Sequence, residues 1–367
     1  MIEGMSLQNL AQTIVQHASG KKDLVLPSSI IRFGLDTERG DLSVVAGNEM
    51  FLMNGTATDQ AVDHLDIPRR FASRLHTQHP ELLLQNMNTL MGARPKDERR
   101  MVRTLGTTAR SILSDGYRRI DNELVFDGLF PVFTRLGGQV ESSNVSDDYL
   151  NMQVIFHRVE GEIRVGDVVR YGVHIQNSEV GKGALAIRPL IYRLVCKNGM
   201  ISADHARRRT HVGGSYLETA DDMSWVALSS ETQMLKTRAI IAEMGEYLEA
   251  LAAPARFEAL MNTLREKADQ VLPAEPQVVI ESLAARYSLR ENEKNSALMA
   301  LAGGNDFTRW GLANSITAIA NDATVYDRAV ELETLGGVIM SLPAAGYAAL
   351  ATLPRKSEVV EGELVHA

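Results

Sequence analysis

Arginine carries the chemistry that stands out in this chain. Between residues 94 and 121 lie Arg94, Lys96, Arg99, Arg100, Arg103, Arg110, Arg118 and Arg119, against Asp97, Glu98, Asp115 and Asp121. Guanidinium groups grip phosphate through paired N–H donors. Residues 97–114 alternate in polarity and turn at Gly106-Thr107, so they read as two strands, with Arg99, Met101 and Arg103 on one side. Tyr117 stands beside Arg118 and Arg119. An aromatic among arginines suits a single strand of nucleic acid, whose bases stack while its phosphates meet the cations. The competing reading is a solvated strand face with a tyrosine packed at a turn.

A second basic patch is Arg207-Arg208-Arg209, flanked by His205 and His211 and followed by Gly213-Gly214, with Arg188, Arg193 and Lys197 nearby in sequence. Three consecutive arginines cannot share one strand face. They belong to a loop or to a sheet edge, either facing a polyanion or keeping other edges away.

Other chemistries find less support. Cys196, His205 and His211 match no usual zinc spacing, and Cys196 behind Leu194-Val195 suits a buried thiol. A two-metal nuclease needs clustered carboxylates, for which Asp115, Asp121, Asp147-Asp148 and Asp221-Asp222 are the material. Asp115 before Gly116 is, however, an ordinary turn residue, and Asp121 an ordinary helix cap. There is no phosphate-binding Gly-x-x-x-x-Gly-Lys-Ser/Thr loop and no Gly-x-Ser-x-Gly elbow; Gly181-Lys182-Gly183 reads as a turn. Trp225 and Trp310 read as core. No catalytic residue, metal ligand or cofactor is predicted.

The elements that must hold these groups follow from periodicity. A short helix is expected over 7–17. Strands follow over 23–55, with a hairpin about Gly47-Asn48. Helices start near Thr56 and at Pro68 and Pro80. After the strands of 97–114, a helix runs from Asp121 to Leu136 and ends at Gly137-Gly138. Residues 139–213 read as an antiparallel meander with strands over 152–158, 168–175 and 185–196, and turns at Ser146-Asp147-Asp148, Glu160-Gly161 and Gly181-Lys182-Gly183. Capping patterns at Ser230/Gln233 and Ser288/Glu291 open helices, Pro254 breaks the first, and Gly303-Gly304 ends the second. Two more helices follow over 308–320 and 325–340.

The fold class is therefore α+β: an antiparallel β-meander core packed on a long helix, with a helical C-terminal region. The expected divisions are an N-terminal β element (1–55), an α+β core (56–272), a helical region (273–350) and a flexible tail (351–367). The 367 residues are 45% hydrophobic and 23% charged, an ordinary globular mixture. A net charge of −8 rules out a polycation, so nucleic-acid binding must be local. One cysteine allows no internal disulfide, and no apolar run reaches the length of a membrane span, which together point to the cytoplasm.

Four segments resemble one family. They are Ile67-Pro68-Arg69-Arg70-Phe71-Ala72-Ser73-Arg74, Leu113-Ser114-Asp115-Gly116-Tyr117-Arg118-Arg119-Ile120-Asp121-Asn122, Arg193-Leu194-Val195-Cys196-Lys197-Asn198-Gly199, and Trp310-Gly311-Leu312-Ala313-Asn314-Ser315-Ile316-Thr317. In order and spacing they are similar to the phage/plasmid-like proteins carrying the domain of unknown function 932. The resemblance spans about residues 60–340. It implies a mobile-element origin and transfers no catalytic residue.

The leading expectation is a non-enzymatic nucleic-acid-binding protein of phage or plasmid DNA metabolism, one that binds or anneals single-stranded DNA during recombination and forms a homo-oligomer. A β-meander followed by a long helix is similar to the core of phage annealing proteins of the Red-beta and RecT type, a likeness of fold alone. The expected contacts are Arg94, Lys96, Arg99, Arg100, Arg103, Tyr117, Arg118, Arg119, Lys197, Arg207, Arg208 and Arg209. The alternatives are a protein-interaction factor that binds a host protein and, third, a metal-dependent nuclease.

Overall fold

The computed structural model describes residues 4–36, 40–195, 198–202, 206–211 and 230–354. Cys196, Lys197, His205, Gly213-Gly214, Asp221-Asp222, Trp225 and the tail from residue 355 lie outside the described residues.

Helix α1 (Leu7–Gly20) starts where the Ser6 hydroxyl accepts from the Asn9 amide at 3.2 Å. Strands β1 (Lys21–Pro27) and β2 (Arg32–Leu35) follow, and β3 (Leu42–Ala46) and β4 (Glu49–Met53) form the expected hairpin, its turn allowed by Gly47 at φ +68°. Helices α2 (Gly55–His64), α3 (Arg69–Gln78) and α4 (Pro80–Gly92) come next. Pro80 opens α4, whereas Pro68 sits one residue before α3. Strands β5 (Arg99–Leu105) and β6 (Thr108–Ser114) then pair with each other.

These six strands make one sheet in the order β1-β5-β6-β4-β3-β2. Its pairs are antiparallel except β4 with β6. A parallel contact needs a long crossover, and α2, α3 and α4 supply it. They cover the sheet and close a core of Phe33, Val44, Phe51, Leu83, Met87, Val102 and Ile112. Residue 55 therefore marks no boundary: β1 to β4 share a sheet with β5 and β6, and β5–β6 stand apart from the meander.

Helix α5 (Asn122–Arg135) leads into the second sheet. It contains β7 (Gly138–Val145), β8 (Leu150–Glu162), β9 (Val168–Asn177), β10 (Leu185–Arg193) and β11 (Asn198–Ile201), in the order β11-β10-β9-β8-β7, all antiparallel. Strand β12 (Arg207–Arg209) pairs with the Leu185 end of β10. The turn expected at Glu160-Gly161 is absent. Strand β8 runs on through a bulge between Phe156 and Glu160, and the chain reverses around Gly166, at φ +82°. Gly161 serves packing instead: a Cβ there would lie 3.2 Å from Met261 and 3.3 Å from Phe257.

Helices α6 (Ser230–Leu251) and α7 (Pro254–Ala268) are separated at Pro254, as expected, and α8 (Pro276–Tyr287), α9 (Glu291–Gly304), α10 (Arg309–Ile319), α11 (Tyr326–Ser341) and α12 (Ala344–Ala348) follow among the described residues. Ser288 does not cap α9. It ends α8 in the left-handed conformation at φ +53°, and the Glu293 carboxylate takes the Arg290 amide proton at 2.8 Å. One face of the second sheet, including Met152, Val154, Tyr171, Val173, Ile175 and Ile187, joins α1, α5, α6 and α7 in the main core. Trp310 is in that core, its indole N–H donating to Asp167 at 2.7 Å. Among the described residues no single helix is long and apolar enough to cross a membrane.

Candidate nucleic-acid interface

The expected basic strand β5 forms, but its inner side faces the second sheet, not water. Arg103 is 1% exposed. Its guanidinium donates to Asp23 at 2.8 Å, to Asp121 at 2.6 Å and to the Glu179 carbonyl at 2.8 Å. Burial alone would make this cation easier to deprotonate; Asp121 and Asp23 outweigh it and raise the pKa. Arg110 on β6 donates to the Glu179 carboxylate at 2.8 Å, which also meets Lys21 and takes the Asn122 amide proton at 2.7 Å. Burial would raise the pKa of Glu179, but Lys21 and Arg110 hold it at about 2. Arg119 reaches Asp23 at 3.3 Å, and Lys21 reaches Glu123 at 2.6 Å. This network joins the two sheets. It corrects the expectation for Arg103: the side chain is an internal joint, not a phosphate contact. It also redirects Asp121, which stands at the N-cap of α5 but sends its carboxylate to Arg103 rather than to the helix amides. A carboxylate so engaged is a poor metal ligand.

Tyr117 is likewise committed. Its ring stacks on His211 with centroids 5.2 Å apart and planes 8° from parallel, and its hydroxyl donates to the Ser178 carbonyl at 3.1 Å. Burial pushes the phenol pKa up. One ring face is thus occupied by protein, which corrects its reading as an open stacking platform. Arg94 turns toward the His64 carbonyl and Asp66; Arg100 donates to His64 Nε2 at 3.1 Å and faces Glu98 at 3.3 Å. Burial, with Arg100 and Arg94 alongside, lowers the pKa of His64. Arg209 pairs with Glu243 of α6. Lys96, Arg99 and Arg207 are exposed and Arg118 half-buried. Among the described residues no carboxylate pairs with any of these four.

The two basic segments meet. The Arg118 amide donates to the His211 carbonyl at 2.7 Å, and His211 Nδ1 lies 3.1 Å from the Arg118 carbonyl. Its other ring nitrogen lies 3.1 Å from Asn177 Oδ1. Burial lowers the imidazole pKa to about 4, against the opposite pull of the Arg118 carbonyl. A strip of arginines thus follows α6: the Thr237 hydroxyl donates to the Arg119 carbonyl at 3.1 Å, and Glu243 holds Arg209. The register of β12 places Arg207 and Arg209 opposite Ile187 and Leu185, and Arg208 opposite Ala186, so Arg208 points to the other side of the sheet.

That other side carries groups the sequence reading passed over. Gln153, His174 and Arg188 stand in register on β8, β9 and β10, with Asn151 and Gln176 in the next row. All five are buried. From α11, Asp327 accepts from Asn151 at 2.9 Å and Glu333 from Gln153. Gln153 Oε1 and His174 Nδ1 are enclosed without a hydrogen-bond partner. One signal was available: Arg188 is a lone charge in the apolar run Leu185-Ala186-Ile187-Arg188-Pro189-Leu190-Ile191. Two of the family-like segments also converge nearby, where the Asn198 amide donates to Thr317.

Among the described residues no three His, Cys, Asp or Glu side chains form a group that could hold a metal ion. The family model for a domain of unknown function (DUF932) matches residues 109–325, more than half of the chain. No curated protein and no solved structure matches the chain.

Proposed function

Starting from a chain that belongs to the DUF932 family, we propose that it binds nucleic acid, single-stranded DNA above all, in the DNA metabolism of a phage or plasmid. The observation that supports this most is the direct backbone bond between Arg118 and His211. It makes one strip of two basic segments, joined at residues 93 apart, in a chain of net charge −8. Arg118 and Arg207 supply cations that no carboxylate pairs with among the described residues, and Lys96 and Arg99 extend the basic surface at the far end of β5. Binding of this kind is electrostatic and sequence-tolerant. It requires no chemistry at the strand, so annealing is within its reach once copies assemble along DNA. The setting would be the cytoplasm and the working form a homo-oligomer.

The test is fluorescence anisotropy of a labelled single strand and the matching duplex at low and near-physiological salt. Tight, salt-sensitive binding with preference for the single strand is expected. The double variant Arg118→Glu/Arg207→Glu should weaken it by about tenfold or more. Arg103 is unsuited to this test because its reversal would break the joint between the sheets. No binding to either probe at low salt overturns the proposal. A salt-insensitive protein partner, using exposed apolar side chains such as Val165, Val271 and Met299, would then lead.

A further inference from the structure

Helix α3 carries a basic surface separate from the strip at Arg118. Residues 67–80 contain Arg69, Arg70, Arg74, His76 and His79 and no acid, in a chain of net charge −8. The helical period sends Ala72 and Leu75 into the core of the first sheet and leaves Arg70, Arg74 and Thr77 on the solvent side. The acids that flank this run are already engaged. Arg69 donates to Asp63 at 2.8 Å and to Asp59 at 3.2 Å, and Asp66 lies 3.4 Å from Arg94. Glu81 sits in the first turn of α4, where the helix dipole favours it. Among the described residues no carboxylate pairs with Arg70 or Arg74.

Phe71 lies beside these arginines. A phenyl ring gains by leaving water, yet this one is 39% exposed. The group over its face is the Arg74 guanidinium, 5.5 Å from the ring centre. Tyr117, by contrast, has His211 against one face and its hydroxyl on the Ser178 carbonyl. Phe71 and Arg74 together present two flat groups at the surface, one aromatic and one cationic. A base stacks on either, and the cation meets phosphate. The position of α3 connects it to the other cations. Arg94 follows α4, donates to the His64 carbonyl and faces Asp66, three residues before α3 begins. Lys96 and Arg99 come next along the chain. The basic end of β5 and the start of α3 are thus neighbours across Arg94.

We propose that Phe71 and Arg74, with Arg70 beside them, form a base-stacking contact for single-stranded nucleic acid on α3, next to phosphate contacts at Lys96 and Arg99. This rests on the proposed nucleic-acid function and supplies the aromatic contact that Tyr117 does not. A single strand fits because its bases are free to stack on protein; in a duplex they are already stacked on one another.

The experiment is a salt titration of single-strand affinity, by fluorescence anisotropy, with the full chain and its variants. Phe71→Ala should lose about tenfold in affinity with the log–log salt slope unchanged, because no phosphate contact goes with the ring. Arg70→Gln/Arg74→Gln should make the slope shallower. Phe71→Trp should keep the affinity, and the added indole should be quenched by bound bases beyond any change in the wild-type fluorescence. If Phe71→Ala does not fold, the quenching decides: a strand that binds Phe71→Trp without it overturns the contact. Single-strand binding that Arg118→Glu/Arg207→Glu weakens and Phe71→Ala leaves intact also overturns the contact, and keeps the nucleic-acid function. An equal loss of duplex affinity in Phe71→Ala overturns it too, since a stacking contact is specific to free bases. No binding by the wild-type chain removes the function and the contact with it.

Discussion

The Glu333 carboxyl is wholly enclosed, with one oxygen accepting from the Gln153 amide and the other beside the Gly199 backbone. Burial pushes its pKa up to about 7 from an ordinary 4.5. Below 4.5 the group is protonated whether the chain is folded or not, and it costs nothing. Between 4.5 and 7 the unfolded chain releases the proton while the folded one keeps it, so folding stability falls as pH rises. Above 7 the loss is complete, at roughly 3 kcal/mol. Glu333→Gln should flatten this decline, as urea unfolding at pH 4.5 and 7.5 would show; an unchanged slope would mean the carboxyl is charged in the folded state. Glu179 has the opposite sign. Its lowered pKa gives stability that is present above 4.5 and lost as pH falls toward about 2. Arg103→Met should be costlier than a typical core change, by about 3–5 kcal/mol, because Asp23 and Asp121 would stay behind with unpaired charge. Chemical denaturation measures it, and a loss under 1 kcal/mol would argue that water already reaches this joint.

At the scale of elements, α11 lies directly on β11. A Cβ on Gly337 would sit 1.9 Å from the Ile201 carbonyl oxygen, a backbone atom that cannot rotate away. Gly337→Ala should therefore push the helix off the strand and cost about 1–3 kcal/mol in urea unfolding; a neutral result would show that α11 has room to slide. Local elements such as this helix were legible in the sequence because their signals are local: the Gly47 turn, Pro80 opening α4, the break at Pro254. Sheet membership was not. Strands β5 and β6 pair with β1 and β4 across long separations, and nothing in their own alternation distinguishes that sheet from the meander that follows. Alternation also cannot say whether the charged side of a strand meets water or another layer, and so Arg103 read as a contact. Arg207, Arg208 and Arg209 were readable as an edge that splits between two faces, since that follows from the pleat alone. Arg188 needed only the question of why one charge stands in an apolar strand.

For the whole molecule, the basic strip sets a quantity that a salt titration reads. Single-strand affinity should fall with salt at a log–log slope of about −0.7 for each phosphate neutralised, and Arg118→Glu/Arg207→Glu should make that slope shallower as well as weaken binding. An unchanged slope would place the phosphate contacts elsewhere. A different consequence attaches to α1. This helix is made before the first sheet, yet it belongs to the core built more than a hundred residues later: Leu10 and Ile14 are buried with α5 and the second sheet, and the Met5 amide donates to the Ser143 carbonyl at 2.6 Å. During vectorial synthesis the sheet of β1 to β6 can close as soon as residue 114 has left the ribosome. Helix α1 lacks its main docking surface until α5 and β7 emerge, and for that interval its apolar side is open to chaperones or to another nascent chain.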